Sequence, residues 1–450
     1  MNELILDVRL DGFNDPVGTL TRSENAALNF QYRSDFLLST NAMPISLSLP
    51  LGDESIAETL TRSFFNNLLQ ERDAPLQDIM ERENITRDDL AGLLFHLGKD
   101  CAGAISVLPS GSPATKVPGN YETDYEPISD QRLIEIVEAL QSRRRPPDGL
   151  QDPSPLAGVQ SKISLTILPN GQAALPKVGT GAPTTHIIKV PSRQNSSDAK
   201  QEAAALNLSQ ICGLETAKAS VEKIGKIDVL MASRFDRALN EQGQIIRLHQ
   251  EDFAQALGLP PSLKYERNGS VGRRFDVSAI KTVLDQTIDP ALSRLEFIKL
   301  TVFDLLIGNA DGHAKNHALL YRTRNRPELS PRYDLLPTRM DPNLTDELPY
   351  SIGAATKIDE ITKAEFFKFL GDLGVTSKGA QARITSEIAT PIARTLSQLL
   401  TTIQSDGLKG LADLIASNMR LFLPEIEISV PEEAKNRDAY VRQGGGWLTS

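Results

Sequence analysis

Asp311 and Asn316 stand five residues apart in the segment Leu305-Leu-Ile-Gly-Asn-Ala-Asp-Gly-His-Ala-Lys-Asn-His317, where an apolar run gives way to a polar loop. A carboxylate followed five positions later by an amide is the D-x-x-x-x-N spacing of kinases. The carboxylate accepts or orients a substrate hydroxyl, and the amide oxygen reaches a magnesium ion on the phosphates. After an apparent hairpin comes Ser330-Pro-Arg-Tyr-Asp-Leu-Leu-Pro337, whose Asp334 stands eighteen residues beyond Asn316. Asp334 reads as a carboxylate at a strand end, its backbone fixed by a tyrosine and two leucines. It offers a second oxygen to Mg²⁺, an ion that takes few protein carboxylates together with phosphate oxygens. Taken singly, an Asp-Gly is an ordinary turn and a loop Asn an ordinary cap. His313 and His317 are four apart, but Ala314 stands where a zincin needs glutamate, so they do not read as a zinc pair.

Upstream, Thr184-Thr-His-Ile-Ile-Lys-Val190 is an apolar strand ending in one lysine, Lys189. That is the pattern of a lysine directed at α- and β-phosphates. Glu202, in the helix expected next, is placed to pair with it as the helix glutamate does in protein kinases. Ahead of a strand at 163–168, the stretch Ala157, Gly158, Val159, Gln160, Ser161, Lys162 has the small residues and exposed amides of a phosphate-covering loop. With one glycine it matches G-x-G-x-x-G poorly.

These groups need elements to position them. The first 107 residues open on alternating strands (Leu4 to Leu10), followed by the apolar segment Pro44 to Leu51 and a helical stretch around Phe64 to Leu69, a compact mixed domain. Gly, Pro, Ser and Asn mark 109–120 as a loop; Ser129 or Asp130 then caps a helix that ends in the solvated run Arg143 to Arg145. From 151 to 237 the pattern is that of a small sheet, with strands at 163–168, 185–190 and 229–235 and one helix over 198–212. Beyond Gln250 it is helical, near 276–285, 289–308, 362–373, 379–404 and 407–420. The expected fold is α+β and bilobal, protein-kinase-like: an N-terminal subdomain over 1–107, a β-rich nucleotide lobe over 121–237 and a mostly helical lobe over 238–450.

A chain of 450 residues, 40% hydrophobic, can bury more than one core. Its formal net charge of −10 argues against autonomous binding to nucleic acid, which needs clustered Lys and Arg. No apolar run approaches the roughly 20 residues of a membrane span, and the N-terminus reads as a strand rather than a signal. Cys101 and Cys212 form no C-x-x-C and no disulfide framework. A cytoplasmic protein with no membrane partner is expected.

Together these segments resemble the HipA toxin kinases of bacterial toxin–antitoxin modules. The resemblance is carried by Pro44-Ile-Ser-Leu-Ser-Leu-Pro-Leu51, Phe64-Phe-Asn-Asn-Leu-Leu69, Gly98-Lys-Asp-Cys-Ala-Gly103, Ala157 to Gln160 with Lys162, Thr184 to Lys189, Arg234-Phe-Asp-Arg237, Arg247-Leu-His-Gln-Glu-Asp252, Asp311 to Asn316 and Tyr333-Asp334. It implies a serine/threonine kinase using ATP and Mg²⁺, with Asp311 as catalytic base and Asn316 and Asp334 on the metal. Lys189 and residues 157–162 would hold the phosphates and Ser233, Arg234 and Phe235 would line the adenine pocket. His313, Ala314, Lys315, Asn316 and Tyr333 would sit beside the nucleotide. It also implies an aminoacyl-tRNA synthetase as protein substrate, and a HipB-like helix-turn-helix antitoxin with which the chain represses its own operator. Two departures stand out. Pro155 occupies the position of the family's autophosphorylated serine, which makes Ser154 the candidate. Near Thr376 to Gly379 only Lys378 and Arg383 remain of an expected basic patch, so operator DNA is expected to be reached mainly through the antitoxin. Alternatives from other classes are a catalytically inactive nucleotide-binding co-repressor and a small-molecule phosphotransferase.

Overall fold

Residues 2–70, 74–147, 150, 160–323 and 326–440 are described by a computed structural model, with side chains at 74, 75 and 78 left aside. They fall into two compact units. One comprises Met1–Ala199, Lys218–Ser262 and Ala318–Glu328, the other Lys200–Ala217, Leu263–His317 and Leu329–Ser450.

In the first unit the period-two pattern of Leu4–Leu10 buries Leu6, Val8 and Leu10 on one face. This strand lies inside a four-stranded antiparallel sheet in the order Leu28–Tyr32, Gly18–Arg22, Leu4–Leu10, Ile105–Pro109. The Pro44 to Leu51 segment forms no strand or helix. Its backbone polar groups are met by side chains instead: Tyr32 donates to the Leu49 carbonyl (2.6 Å) and accepts from the Ile45 amide (2.9 Å). The buried Glu251 accepts from Ser46 (2.5 Å), from the Leu47 amide (3.0 Å) and from Tyr321 (2.5 Å).

A six-stranded antiparallel sheet follows in the order Tyr125–Pro127, Ala173–Pro176, Lys162–Ile167, His186–Lys189, Ile227–Ser233, Ala219–Ile224. The helix Asp130–Arg143 covers one face, packing Ile136, Val137 and Leu140 on Ile163, Leu165, Ile188 and Val229. Ser129 caps it by accepting the Arg132 amide, and Arg144 ends it in a left-handed conformation.

The second unit is helical: Val277–Leu284, Pro290–Ile307, Lys363–Asp372, Lys378–Ser405 and Lys409–Phe422. Four of the five starts carry a side-chain cap from Asp276, Asp289, Thr362 or Ser377. Phe366, Phe369, Phe422, Leu396 and Met419 are fully buried in its core. No helix among the described residues is long and apolar enough to cross a membrane.

Candidate active site

The helix Pro290–Ile307 points its C-terminus at the D-x-x-x-x-N loop and stops there for a steric reason. Gly308 has φ +77°, the left-handed region that favours glycine, and a Cβ at that position would crowd Leu414 Cδ2 at 2.7 Å. The Gly308 and Asn309 amides close the helix onto the Asp304 carbonyl. The loop is then pinned at almost every residue. Ala310 donates to Thr338 Oγ1 (2.8 Å) and Asp311 to the Asn309 side chain (3.0 Å), while Ala314 donates to the Lys264 carbonyl (3.0 Å). Asn316 Nδ2 donates to the Asp311 carbonyl (2.7 Å), which turns the amide oxygen to the opposite side. The Tyr333 hydroxyl ties the Lys315 carbonyl from below (2.7 Å).

Asp311 keeps a half-exposed carboxylate whose Oδ1 accepts from the Tyr265 hydroxyl. Partial burial lifts this carboxyl above its ordinary range against the pull of that bond, and the nearby Asp334 carboxylate lifts it further. Two carboxylates that sense each other favour a cation near them. Asp334 itself has φ +55°, a left-handed conformation that is uncommon outside glycine and that fixes where its carboxylate leaves the chain. Among the described residues no cluster of three or more His, Cys, Asp and Glu side chains could hold a metal unaided. A carboxylate with an amide oxygen suits Mg²⁺, which takes its remaining ligands from water and phosphate.

His313 is buried, its Nδ1 has no partner among the described residues, and burial with the Lys264 charge pushes it down to about 3, so it is neutral. His317 is committed on both nitrogens. Arg332 Nη1 donates to Nδ1 (3.0 Å), so Nε2 carries the hydrogen and donates to the Gly312 carbonyl (2.9 Å). Arg332 in turn grips the buried Asp304 through Nη2 (3.2 and 2.9 Å). The chain Asp304–Arg332–His317–Gly312 therefore joins the helix end, the loop beside Asp311 and the segment leading to Asp334. Sequence reasoning missed Asp304, Arg332 and Tyr265. The first had a visible signal, a lone carboxylate in the apolar run Leu300 to Ile307.

The remaining expected residues, Glu202 apart, belong to the first unit. Lys189 ends its strand directly opposite Lys162, both half-buried, in the register of the six-stranded sheet. Ser161 accepts the Val190 amide through its carbonyl (2.8 Å), and Gln160 is half-buried. Ser233 lies opposite His186, hydrogen-bonded to its Nε2 (3.0 Å). Arg234 is buried on Asp236 (3.0 and 2.9 Å), and Phe235 begins the turn that follows. Glu202 is buried in the helix Asp198–Ile211. Ser154, Pro155, Ala157, Gly158 and Val159 lie outside the described residues. Near the reduced basic patch, Arg383 makes a surface contact with Glu387 (3.9 Å).

Comparison with known proteins matches residues 6–108 to the HipA N-terminal domain and residues 154–399 to the HipA-like C-terminal domain. The kinase-named protein Y4mE of Sinorhizobium fredii is 31% identical over 94% of this chain and 99% of its own. The serine/threonine-protein kinase toxin HipA of Shewanella oneidensis is 27% identical over 74% of this chain and 76% of its own. Among solved structures, the complex of HipA, HipB and operator DNA from Shewanella oneidensis matches with a TM-score of 0.77 at 23% identity, covering 94% of this chain and 98% of that one. The fold is thus α+β and kinase-like, of the HipA type.

Proposed function

Because the chain belongs to the HipA family, we propose that it is an ATP-dependent serine/threonine protein kinase, the toxin of a toxin–antitoxin module acting in the cytoplasm. The observation that carries this reading is the pinned loop that holds the Asp311 carboxylate and the Asn316 amide in one turn, with Asp334 close enough to shift the Asp311 carboxyl.

In this reading residues 1–107 form the N-terminal subdomain, 121–237 the nucleotide lobe and 238–450 the catalytic lobe. Asp311 orients the acceptor hydroxyl and takes its proton as the oxygen bonds to the γ-phosphorus and the bond to the β-phosphate oxygen breaks. Asn316 Oδ1 and Asp334 hold Mg²⁺, which when bound neutralises charge on the phosphates. Lys189 and Lys162 supply the cations for those phosphates, an assignment that their cross-strand placement supports. Ser233, Arg234 and Phe235 line the adenine, and His313 to Asn316 and Tyr333 flank the nucleotide. The protein substrate is an aminoacyl-tRNA synthetase, and a HipB-like antitoxin restrains the kinase and joins it in binding the operator.

The test is transfer of labelled γ-phosphate from Mg-ATP to purified aminoacyl-tRNA synthetases, with Asp311→Asn beside the wild type. Label on a serine or threonine of a synthetase, lost in the variant, supports the reading. Label on a small metabolite alone, or none from the wild type, overturns it.

A further inference from the structure

Tyr265 stands in the stretch Lys264-Tyr-Glu-Arg-Asn-Gly-Ser-Val-Gly272, whose charges and glycines give it no regular period. One 3₁₀ turn, Glu266–Asn268, forms there. Such a segment must be held by its neighbours, and here it is held on both sides of the tyrosine. The Lys264 carbonyl accepts the Ala314 amide of the D-x-x-x-x-N loop (3.0 Å). The Glu266 amide donates to the Pro349 carbonyl (3.0 Å), and the Glu266 carboxylate accepts the Ser351 amide (2.5 Å). The ring is fixed as well: the Arg267 guanidinium carbon lies 4.0 Å from its centroid, and His313 meets it edge to face at 5.0 Å. Every residue of this arrangement lies in the second unit.

The hydroxyl of this immobilised ring donates to Asp311 Oδ1. His313 Nε2 stands 3.9 Å from the same oxygen, beyond hydrogen-bond reach. A carboxylate left to itself turns easily, because the terminal torsion of aspartate is broad. A donor fixed to one oxygen removes that freedom and aims the other. An acceptor hydroxyl approaching the 43% exposed Asp311 side chain then has Oδ2 to meet. The same bond favours the ionised carboxylate and so makes it a weaker base. Phosphoryl transfer tolerates that loss, since its loose transition state depends on placement and charge more than on proton abstraction.

We propose that Tyr265 is a positioning residue of this site, its hydroxyl locking the Asp311 carboxylate so that Oδ2 receives the acceptor hydroxyl. The role rests on the kinase reading. Tyr265 keeps its own proton throughout. The acceptor's proton passes to Oδ2 as its oxygen bonds to the γ-phosphorus and the bond to the β-phosphate oxygen breaks.

The experiment is single-turnover transfer of labelled γ-phosphate from Mg-ATP to the purified synthetases, by the full chain as wild type, Tyr265→Phe, Asp311→Asn and the double variant. Tyr265→Phe keeps the ring against Arg267 and His313 and deletes one oxygen, so its melting temperature should match the wild type. Its transfer rate at saturating Mg-ATP should fall roughly 10- to 100-fold while calorimetric Mg-ATP affinity changes by less than about twofold. In the Asp311→Asn background the same substitution should cost less than about twofold, because the hydroxyl acts through the carboxylate, whereas a merely structural effect would act equally in both backgrounds. An unchanged or faster rate in Tyr265→Phe beside an active wild type, an equal loss in both backgrounds, or a loss that lies in Mg-ATP affinity would each overturn this role and leave the kinase reading standing. No transfer by the wild type would end that reading and this role with it.

Discussion

Arg332→Met tests whether the loop beside Asp311 is held by its buried wiring. Arg332 is 6% exposed and makes two bonds to Asp304 and one to His317. Methionine fills much of the space but leaves the Asp304 carboxylate without its cation. Removing one partner of a buried pair costs about 3–5 kcal/mol, a large share of the roughly 5–15 kcal/mol by which domains are stable. Burial already lifts the Asp304 carboxyl above its ordinary range even with Arg332 beside it, so loss of the guanidinium must lift it further. The penalty belongs to the ionised form: it is present above the shifted value and relieved as falling pH protonates the group. Urea denaturation should therefore show a larger loss at pH 8 than at pH 5.5. The double variant Asp304→Leu/Arg332→Met, which removes both charges, should recover most of the stability. Phosphoryl transfer should stay at least about 100-fold below wild type, because nothing then sets the His317 tautomer that holds the Gly312 carbonyl, and small misplacements of catalytic groups cost that much. A double variant that is stable and fully active would refute the positioning argument. A single variant that loses under about 1 kcal/mol would refute the energetic one.

Asp311→Asn should lower phosphoryl transfer by at least about two decades while changing nucleotide affinity little, as measured by single-turnover transfer beside calorimetry; wild-type turnover would remove Asp311 from its role. Asn316→Ala and Asp334→Ala should each weaken nucleotide binding in Mg²⁺ but not in its absence, and equal affinities under both conditions would place the metal elsewhere. Burial lifts the Glu251 carboxyl from 4.5 to about 7 against its three hydrogen bonds. The stability of its protonated form is thus full below the lower value and lost as pH rises through the higher, at most about 3 kcal/mol. The melting temperature should fall between pH 5 and 8 more steeply in the wild type than in Glu251→Gln; parallel curves would count against it. After incubation with Mg-ATP, mass spectrometry should find any autophosphate on Ser154 and none in Ser154→Ala. Phosphate on Ser161 instead would end that reading.

The helices of the second unit were legible to within one or two residues because their signals are local: Asp289 before Pro290, Ser377 before Lys378, Gly308 at a stop. The sheet order of the first unit was not. Ile105–Pro109 pairs with Leu4–Leu10 across about a hundred residues, and nothing in either strand names the other. The Pro44 to Leu51 segment is irregular for a similar reason. Its backbone groups are met by Tyr32, His249 and Glu251, two of them some 200 positions away, so no local pattern could announce that it needs no strand partner.

The same distinction divides the site. Asp311 and Asn316 could be read together because one turn of loop holds both, and their spacing is itself the geometry. Tyr265 reaches Asp311 across 46 residues and Arg332 reaches Asp304 across 28, so spacing says nothing of either. Yet Asp304 carried a usable constraint. A carboxylate inside an apolar helix must lose water on folding, and an ion so placed is tolerated only when paired. From that alone a buried cation opposite Asp304 follows, though not which of 48 lysines and arginines supplies it. The fold narrows the choice to Arg332, and its position two residues before Asp334 gives the pairing its consequence. The contact that neutralises the helix carboxylate also sets where the second acidic group of the site begins.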